Sequence, residues 1–370
     1  MQAHSRAAVE VVPEGGGPRQ YAKYGGDPGQ RLVWRDARYS LRADVGALAG
    51  WFRRHEGCEP PWGRTASCGR CLGAAVELRC TCTGGVYPCN VETCAYVWGC
   101  AVCAEKIRTR RALEVVAGAA AWVASGGSMA MLTLTVRHHE WMKLSLVLGA
   151  VAGSWRKLRQ RKEYRSFRRL IDGTVKALEV KVGDNGWHPH IHLVVFVRPG
   201  VEFDTVAAAA SALYEPWEQM VTKELGVSPT RKHGIDFRPM GADAAGYVSK
   251  IGFEIAAADT KGGRDFFALL PDARNGEVGA FARCLEYLDT MRGRHSLDWS
   301  PGLRDRLGLS AEKSDEELAL EDEDGDSVEW VERSVWNSAL YRRNESGVPL
   351  VTEILRSAEG RVRNGRFGNA

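Results

Sequence analysis

The chain has no long hydrophobic run: its longest apolar stretch, Val115 to Ala124, is about half of what a bilayer crossing needs. The first thirty residues hold Gly15 to Gly17 and scattered charge but no apolar core, so no secretory signal is expected. With neither, the expected location is cytoplasmic, with no membrane partner. A G-x-x-x-x-G-K-[ST] phosphate loop is also missing, which argues against an ATP-driven helicase activity of the chain's own. Cysteine is nearly absent outside one window, since nine of the ten fall between Cys58 and Cys103. In a reducing compartment such a cluster reads as thiolate metal ligands rather than disulfides.

At 370 residues there is room for two or three domains, and 44% hydrophobic content with 26% charge is that of a globular protein. The net charge of +4 is mild but unevenly spread. Trp155 to Leu170 carries eight Lys or Arg against Glu163 alone, whereas Glu312 to Glu332 carries eleven Asp or Glu against Lys313 alone. A polyanion is the expected partner of the basic stretch.

The cysteine window contains CGRC at Cys68 to Cys71, CTC at Cys80 to Cys82, then Cys89, Cys94, and CAVC at Cys100 to Cys103. A C-x-x-C pair brings two thiolates to one tetrahedral ion. Cys68, Cys71, Cys94, Cys100 and Cys103 are the zinc candidates, and the remaining sulfurs are numerous enough for a second site. One or two structural Zn2+ ions would staple a loop-rich module too small to bury its own core.

Gly186 to Arg198, GWHPHIHLVVFVR, crowds three histidines ahead of an apolar run that reads as a buried strand. Spacing of two puts His188, His190 and His192 on one face. Thr174 to Val182 precedes it across GDNG, predicting a hairpin with His188 to Val197. A loop of two or four residues places Glu179 opposite His190 or His192 on the same face, and a three-residue loop turns it away. A His, His, Glu set suits Mg2+ or Mn2+ with open positions. Met129 to Val136 reads as another buried strand, followed by His138 and His139, which either reach a site at the strand end or are ordinary loop residues.

The basic stretch is expected to be helical and to bind DNA through Arg156, Lys157, Arg159, Arg161, Lys162, Arg165, Arg168 and Arg169, with Trp155, Tyr164 and Phe167 stacking on unpaired bases. Further on, GADAAGYVSK sets Asp243, Tyr247 and Lys250 on one face of a helix. A neighbouring Lys and a bound cation would favour the Tyr phenolate as a nucleophile toward phosphate.

The order of these motifs resembles that of the HUH endonucleases, specifically the rolling-circle replication initiators of actinobacterial plasmids and integrative elements. The likeness rests on MLTLTV (131–136), ALEVKVGDNGWHPHIHLVVF (177–196) and GYVSK (246–250). It extends to ETCAYVWGCAVCAEKIRTRRA (92–112), GRDFFALLPDA (263–273) and RGRHSLDWSPGLRDRLGL (292–309), roughly residues 92 to 309 in all. The resemblance implies an α+β fold, a central antiparallel sheet flanked by helices, with an N-terminal zinc-binding module and a helical C-terminal extension. It makes His190 and His192 the paired metal ligands and Tyr247 the nucleophile, and it places Asp243 where related initiators carry a Glu that activates water at termination.

The expected organisation is a flexible leader (1–57), a cysteine-rich zinc module (58–104), an HUH endonuclease domain (105–260), a helical extension (261–311), and an acidic linker with a basic tail (312–370). The implied activity is a nick in single-stranded or cruciform origin DNA, leaving a 5′-phosphotyrosine and a 3′-OH that primes a host polymerase, with a host helicase as further partner and strand rejoining at the end. Competing readings are an HUH relaxase or transposase, and a non-catalytic zinc-dependent DNA-binding regulator. Relaxases tend to place the Tyr before the histidines, whereas here it follows them.

Overall fold

The computed structural model describes residues 28–81, 85–240, 263–321 and 325–365. The described strands are β1 (Ala75–Cys80), β2 (Val86–Cys89), β3 (Ser128–Thr135), β4 (Ile171–Gly183), β5 (Gly186–Val197), β6 (Ile235–Met240), β7 (Leu297–Trp299) and β8 (Ser327–Glu332). Apolar alternation in β3, β4 and β5 makes them the centre of a five-stranded antiparallel sheet ordered β6-β3-β5-β4-β7. The long β4–β5 hairpin closes through Asp184 and Asn185, with Gly183 paired to Gly186.

One face of this sheet presents Leu132, Leu134, Ile191, Leu193 and Val195 to helices Leu144–Leu158, Lys162–Leu170, Phe203–Ser211 and Tyr214–Leu225. Toward β4 the same face carries Leu178, Val180 and Val182, which pack with helices Phe266–Arg274 and Val278–Thr290 and with Cys68, Cys94, Cys100 and Cys103. The other face is apolar only at one end, where Met131, Val175, Val194 and Phe196 meet Val115, Val116 and Ala119 of helix Ala101–Ala124. Its opposite end is polar and carries the histidines. The fold is thus α+β, with antiparallel sheets flanked by helices. Among the described residues no helix is long and apolar enough to cross a membrane.

Several expected boundaries do not match the structure. The leader, expected to be flexible with one short helix near Ser40 to His55, contributes instead a helix Pro28–Glu56 that buries Val45, Leu48 and Ala49, so its described part is docked. The cysteine module is not free-standing, because β1 is the middle strand of a second sheet ordered β2-β1-β8 whose third strand arrives from the C-terminal region. Residues 312–370 are accordingly more than a linker and tail: helix Asp315–Leu320, β8, and helices Arg333–Tyr341 and Val351–Arg363 are all ordered elements. Trp336, Leu340, Val351 and Leu355 are fully buried against Val76 and Leu78. The helical extension likewise supplies an edge strand, β7, to the main sheet.

Charge pairing explains how an acidic segment can dock. Arg111 holds Glu312 at 3.0 Å and Asp315 at 3.2 Å, and Arg110 holds Glu321 at 2.8 Å. In the C-terminal part Arg35 meets Glu359 at 2.5 Å, Arg343 meets Asp44 at 2.7 Å, and Arg361 pairs with Glu329. Arg110 and Arg111 of helix Ala101–Ala124 therefore face protein carboxylates, whereas the buried Arg108 donates to the Val97 carbonyl at 3.0 Å.

Candidate active site

The polar end of the central sheet is built by strand register. Glu179 on β4 lies directly across from His190 on β5, and His192 lies across from Thr133 on β3. Because the hairpin turn has two residues, Glu179 falls on the histidine face. Glu179 Oε2 is 3.0 Å from His192 Nε2 and 3.5 Å from His190 Nδ1, and these three side chains can hold one metal ion. Thr133 Oγ1 lies 3.1 Å from His192 Nδ1, which ties down that nitrogen and aims Nε2 inward. Lys181 Nζ sits 2.9 Å from the other carboxylate oxygen, Oε1, leaving Oε2 for the site.

His190 Nδ1 is buried without a hydrogen-bond partner. A buried nitrogen left bare costs free energy unless something completes it. A divalent cation between His190, His192 and Glu179 does so, and two neutral nitrogens with one carboxylate form a donor set suited to Mg2+ or Mn2+. Burial opposes ionisation of Glu179, yet its contacts with His190, His192 and Lys181 prevail and hold the carboxyl far below the ordinary range. Burial pushes His190 down as well, favouring the neutral imidazole that ligation requires.

His188 lies outside this set. Its ring packs edge-on against His190, with centroids 3.9 Å apart, and its Nδ1 bonds to Nε2 of His138. His138 Nδ1 in turn donates to the Asn185 carbonyl at 2.8 Å. Burial depresses both, His188 to about 3. His138 thus reaches the site, the option that sequence alone left open; its position directly after a strand pairing with the histidine strand was the available signal.

A cleft of about 720 Å³ opens beside the triad, lined by His190, His188, His138, His139, Arg137, Lys232 and Arg238 among others. Arg137, Lys232 and Arg238 are exposed. None of the three stood out in the sequence, because they are far apart in the chain and converge only through the β3–β6 pairing and the turn before β6.

The stretch from Trp155 to Leu170 stands elsewhere. Its helices cover the sheet face opposite the histidines, and Trp155, Tyr164 and Phe167 are buried in the core there. Stacking of these three on bases is therefore excluded: a 3.6-residue apolar period pulled them inward. Arg156, Lys157, Arg159, Arg161, Lys162, Arg165 and Arg169 are exposed, whereas Arg168 is half-buried and donates to the Ile171 carbonyl. Tyr247, Asp243 and Lys250 lie outside the described residues.

Four cysteines form a second centre. Sγ separations are 3.5 Å for Cys68 and Cys103, 3.6 Å for Cys68 and Cys100, and 3.8 Å for Cys94 and Cys103. A tetrahedral zinc with bonds of about 2.3 Å sets its sulfurs about 3.8 Å apart, whereas a disulfide closes to about 2.05 Å. The thiols of Cys100, Cys68 and Cys94 hydrogen-bond to Cys103 and hold it well below the ordinary thiol range, and Cys103 in return keeps Cys100 well above it. A dication would relieve that competition and accept all four as thiolates. The expected CGRC pairing does not occur. Gly69, at φ 88°, turns the chain so that Cys71 bonds to the Gly73 carbonyl at 3.4 Å and packs in the C-terminal core. Cys80 and Cys89 are buried outside the cluster, Cys58 is exposed, and Cys82 lies outside the described residues.

Residues 89–209 match a family described as "Replication protein". Along the chain, a Streptomyces lividans protein named "Protein rep" is 28% identical over a 352-residue alignment that covers 73% of this chain and 76% of that one. A Streptomyces cyanogenus protein named "Neomycin resistance protein" is 25% identical over 177 residues, 40% of each chain. No solved structure matches. The family match spans Glu179, His190, His192, Cys94, Cys100 and Cys103, and ends before Tyr247.

Proposed function

We propose that this chain, which carries a replication-protein domain at residues 89–209 and resembles the Rep-type rolling-circle initiators of actinobacterial plasmids, initiates replication by nicking one strand of origin DNA as an HUH endonuclease. The observation that carries this is the Glu179, His190, His192 triad, set on a rigid sheet and open to a basic cleft. Glu179, His190 and His192 would hold a Mg2+ or Mn2+ ion, which would supply Lewis-acid polarisation of the scissile phosphate. Arg137 and Lys232 steer and hold the DNA backbone by charge. Thr133 fixes the His192 ring, and Lys181 keeps Glu179 ionised and oriented.

In this reading the Tyr247 oxygen attacks phosphorus in line. The phenol proton leaves, the phosphorus bond to the 3′-oxygen breaks, and that oxygen takes up a proton. The products are a 5′-phosphotyrosine and a free 3′-OH that a host polymerase can extend, while a host helicase separates the strands. Lys250 favours the phenolate, and Asp243 is the base for the closing transfer. Cys68, Cys94, Cys100 and Cys103 would hold a structural Zn2+, and through their packing with Val180 and Val182 they would tie the N-terminal segment to the β4 side of the sheet. The exposed arginines and lysines from Arg156 to Arg169 hold flanking DNA through phosphates.

The test is an oligonucleotide assay with Mn2+. Wild type is expected to leave a covalent protein–DNA adduct that His192→Ala and Tyr247→Phe do not form. No adduct with wild type overturns the nickase reading, and an adduct with Tyr247→Phe overturns the nucleophile.

A further inference from the structure

The loop from Arg137 to Lys143 projects Trp141, which is 75% exposed, beside the cleft. A lone exposed aromatic means little in itself. This one is held in place. Its ring stacks on His139, with centroids 5.9 Å apart and planes inclined by 11°, and His139 lines the cleft that also contains His190. The loop is fastened at both ends: His138 bonds to the Asn185 carbonyl, the Met142 amide donates to the His139 carbonyl at 3.0 Å, and the Leu144 amide donates to Glu286 at 2.6 Å. Glu286 also accepts from Trp187 Nε1 at 2.8 Å, and Met142 is buried. Gly186 packs so closely beneath that a Cβ there would stand 2.9 Å from Glu140 Cα. An open ring face is therefore presented in a fixed place, stacked on a histidine of the cleft that also contains His190, Arg137 and Lys232.

We propose that Trp141, backed by His139, is the stacking platform for an unpaired base of the single strand that enters the cleft. Its chemistry selects single strands over duplex, because in a duplex both faces of a base are already stacked. Arg137 and Lys232 then supply the backbone contacts, so the aromatic and ionic parts of recognition are separable. This rests on the nickase reading for its substrate but not for its measurement.

The experiment measures binding of a labelled single-stranded oligonucleotide and of its duplex to the full chain, alongside the covalent-adduct assay. Trp141→Ala should weaken single-strand binding about 5- to 150-fold, with Trp141→Phe recovering most of it, duplex binding unchanged and the salt slope unchanged. Lys232→Ala should instead weaken both forms and flatten the salt dependence. Unchanged single-strand binding by Trp141→Ala, or equal loss for both DNA forms, overturns the platform. Absence of an adduct in a wild type that still binds single strands overturns the nickase reading and leaves the platform standing. Thermal melts of Trp141→Ala should match wild type, as expected for an exposed ring; a lower melting temperature with no recovery by Trp141→Phe would assign the residue to folding and overturn the proposal.

Discussion

Glu179 stands directly opposite His190 in the β4–β5 ladder, 3.5 Å from an imidazole nitrogen that has no hydrogen-bond partner. The pair is half of a metal site made rigid by backbone pairing rather than by loop packing. Glu179→Ala should lower Mn2+ affinity at least about tenfold, the scale seen when even outer groups of a metal site are lost. Titration calorimetry with Mn2+ measures it. Affinity equal to wild type would remove Glu179 from the ligand set.

The cysteine cluster makes a sharper distinction, because it separates two cysteines of one C-x-x-C pair. Cys68 belongs to the four-sulfur group and Cys71 does not. Metal analysis of purified protein should give about one zinc per chain for wild type and Cys71→Ser, and well under half for Cys94→Ser or Cys68→Ser. Removal of zinc by a chelator should also lower the melting temperature, since these sulfurs pack in one core with Val180 and Phe266. Retention of zinc by Cys68→Ser together with loss in Cys71→Ser would reverse the assignment.

Gly186 is required twice over. Its φ of 88° is costly for a residue with a Cβ, and the Cβ itself would collide with backbone at Glu140 and His139. Gly186→Ala should cost about 1–3 kcal/mol by urea denaturation. It should also weaken single-strand binding, because it shifts the loop that carries Trp141. Stability within about 0.5 kcal/mol of wild type would show that the loop yields freely.

What could be read in advance followed the range of each signal. The histidine face and the hairpin were legible because strand alternation is local, whereas the side taken by Glu179 stayed open until the structure gave the turn two residues. The zinc ligands were only partly legible: Cys94 sits alone in the sequence and joins Cys100 and Cys103 through a loop, while the conspicuous CGRC is split by the Gly69 turn. Charge misled most. Trp155, Tyr164 and Phe167 looked like base-stacking groups because arginines surround them, yet their helical spacing buries them. Trp141, with no basic run around it, is an exposed aromatic stacked on His139, and only the folded chain brings Lys232 and Arg238 into the cleft that His139 lines.

The C-terminal region tests the same point energetically. A linker and tail would tolerate substitution, with effects within about 0.5 kcal/mol. Trp336 is instead fully buried, donates its indole N–H to the Gly69 carbonyl at 2.7 Å, and packs with Val76 and Leu78 beneath the second sheet. Removal of so large a buried ring leaves a cavity and orphans a carbonyl, so Trp336→Ala should cost about 3–5 kcal/mol in urea denaturation. The same substitution should loosen the Cys68 turn, because Arg42 bridges the carbonyls of Cys68 and Leu340 at 2.6 and 2.9 Å. Zinc release by a chelator should therefore be faster in Trp336→Ala than in wild type, although position 336 lies far from every cysteine in the sequence. Unchanged stability and unchanged zinc release would show that residues 325–365 hang on the fold without supporting it.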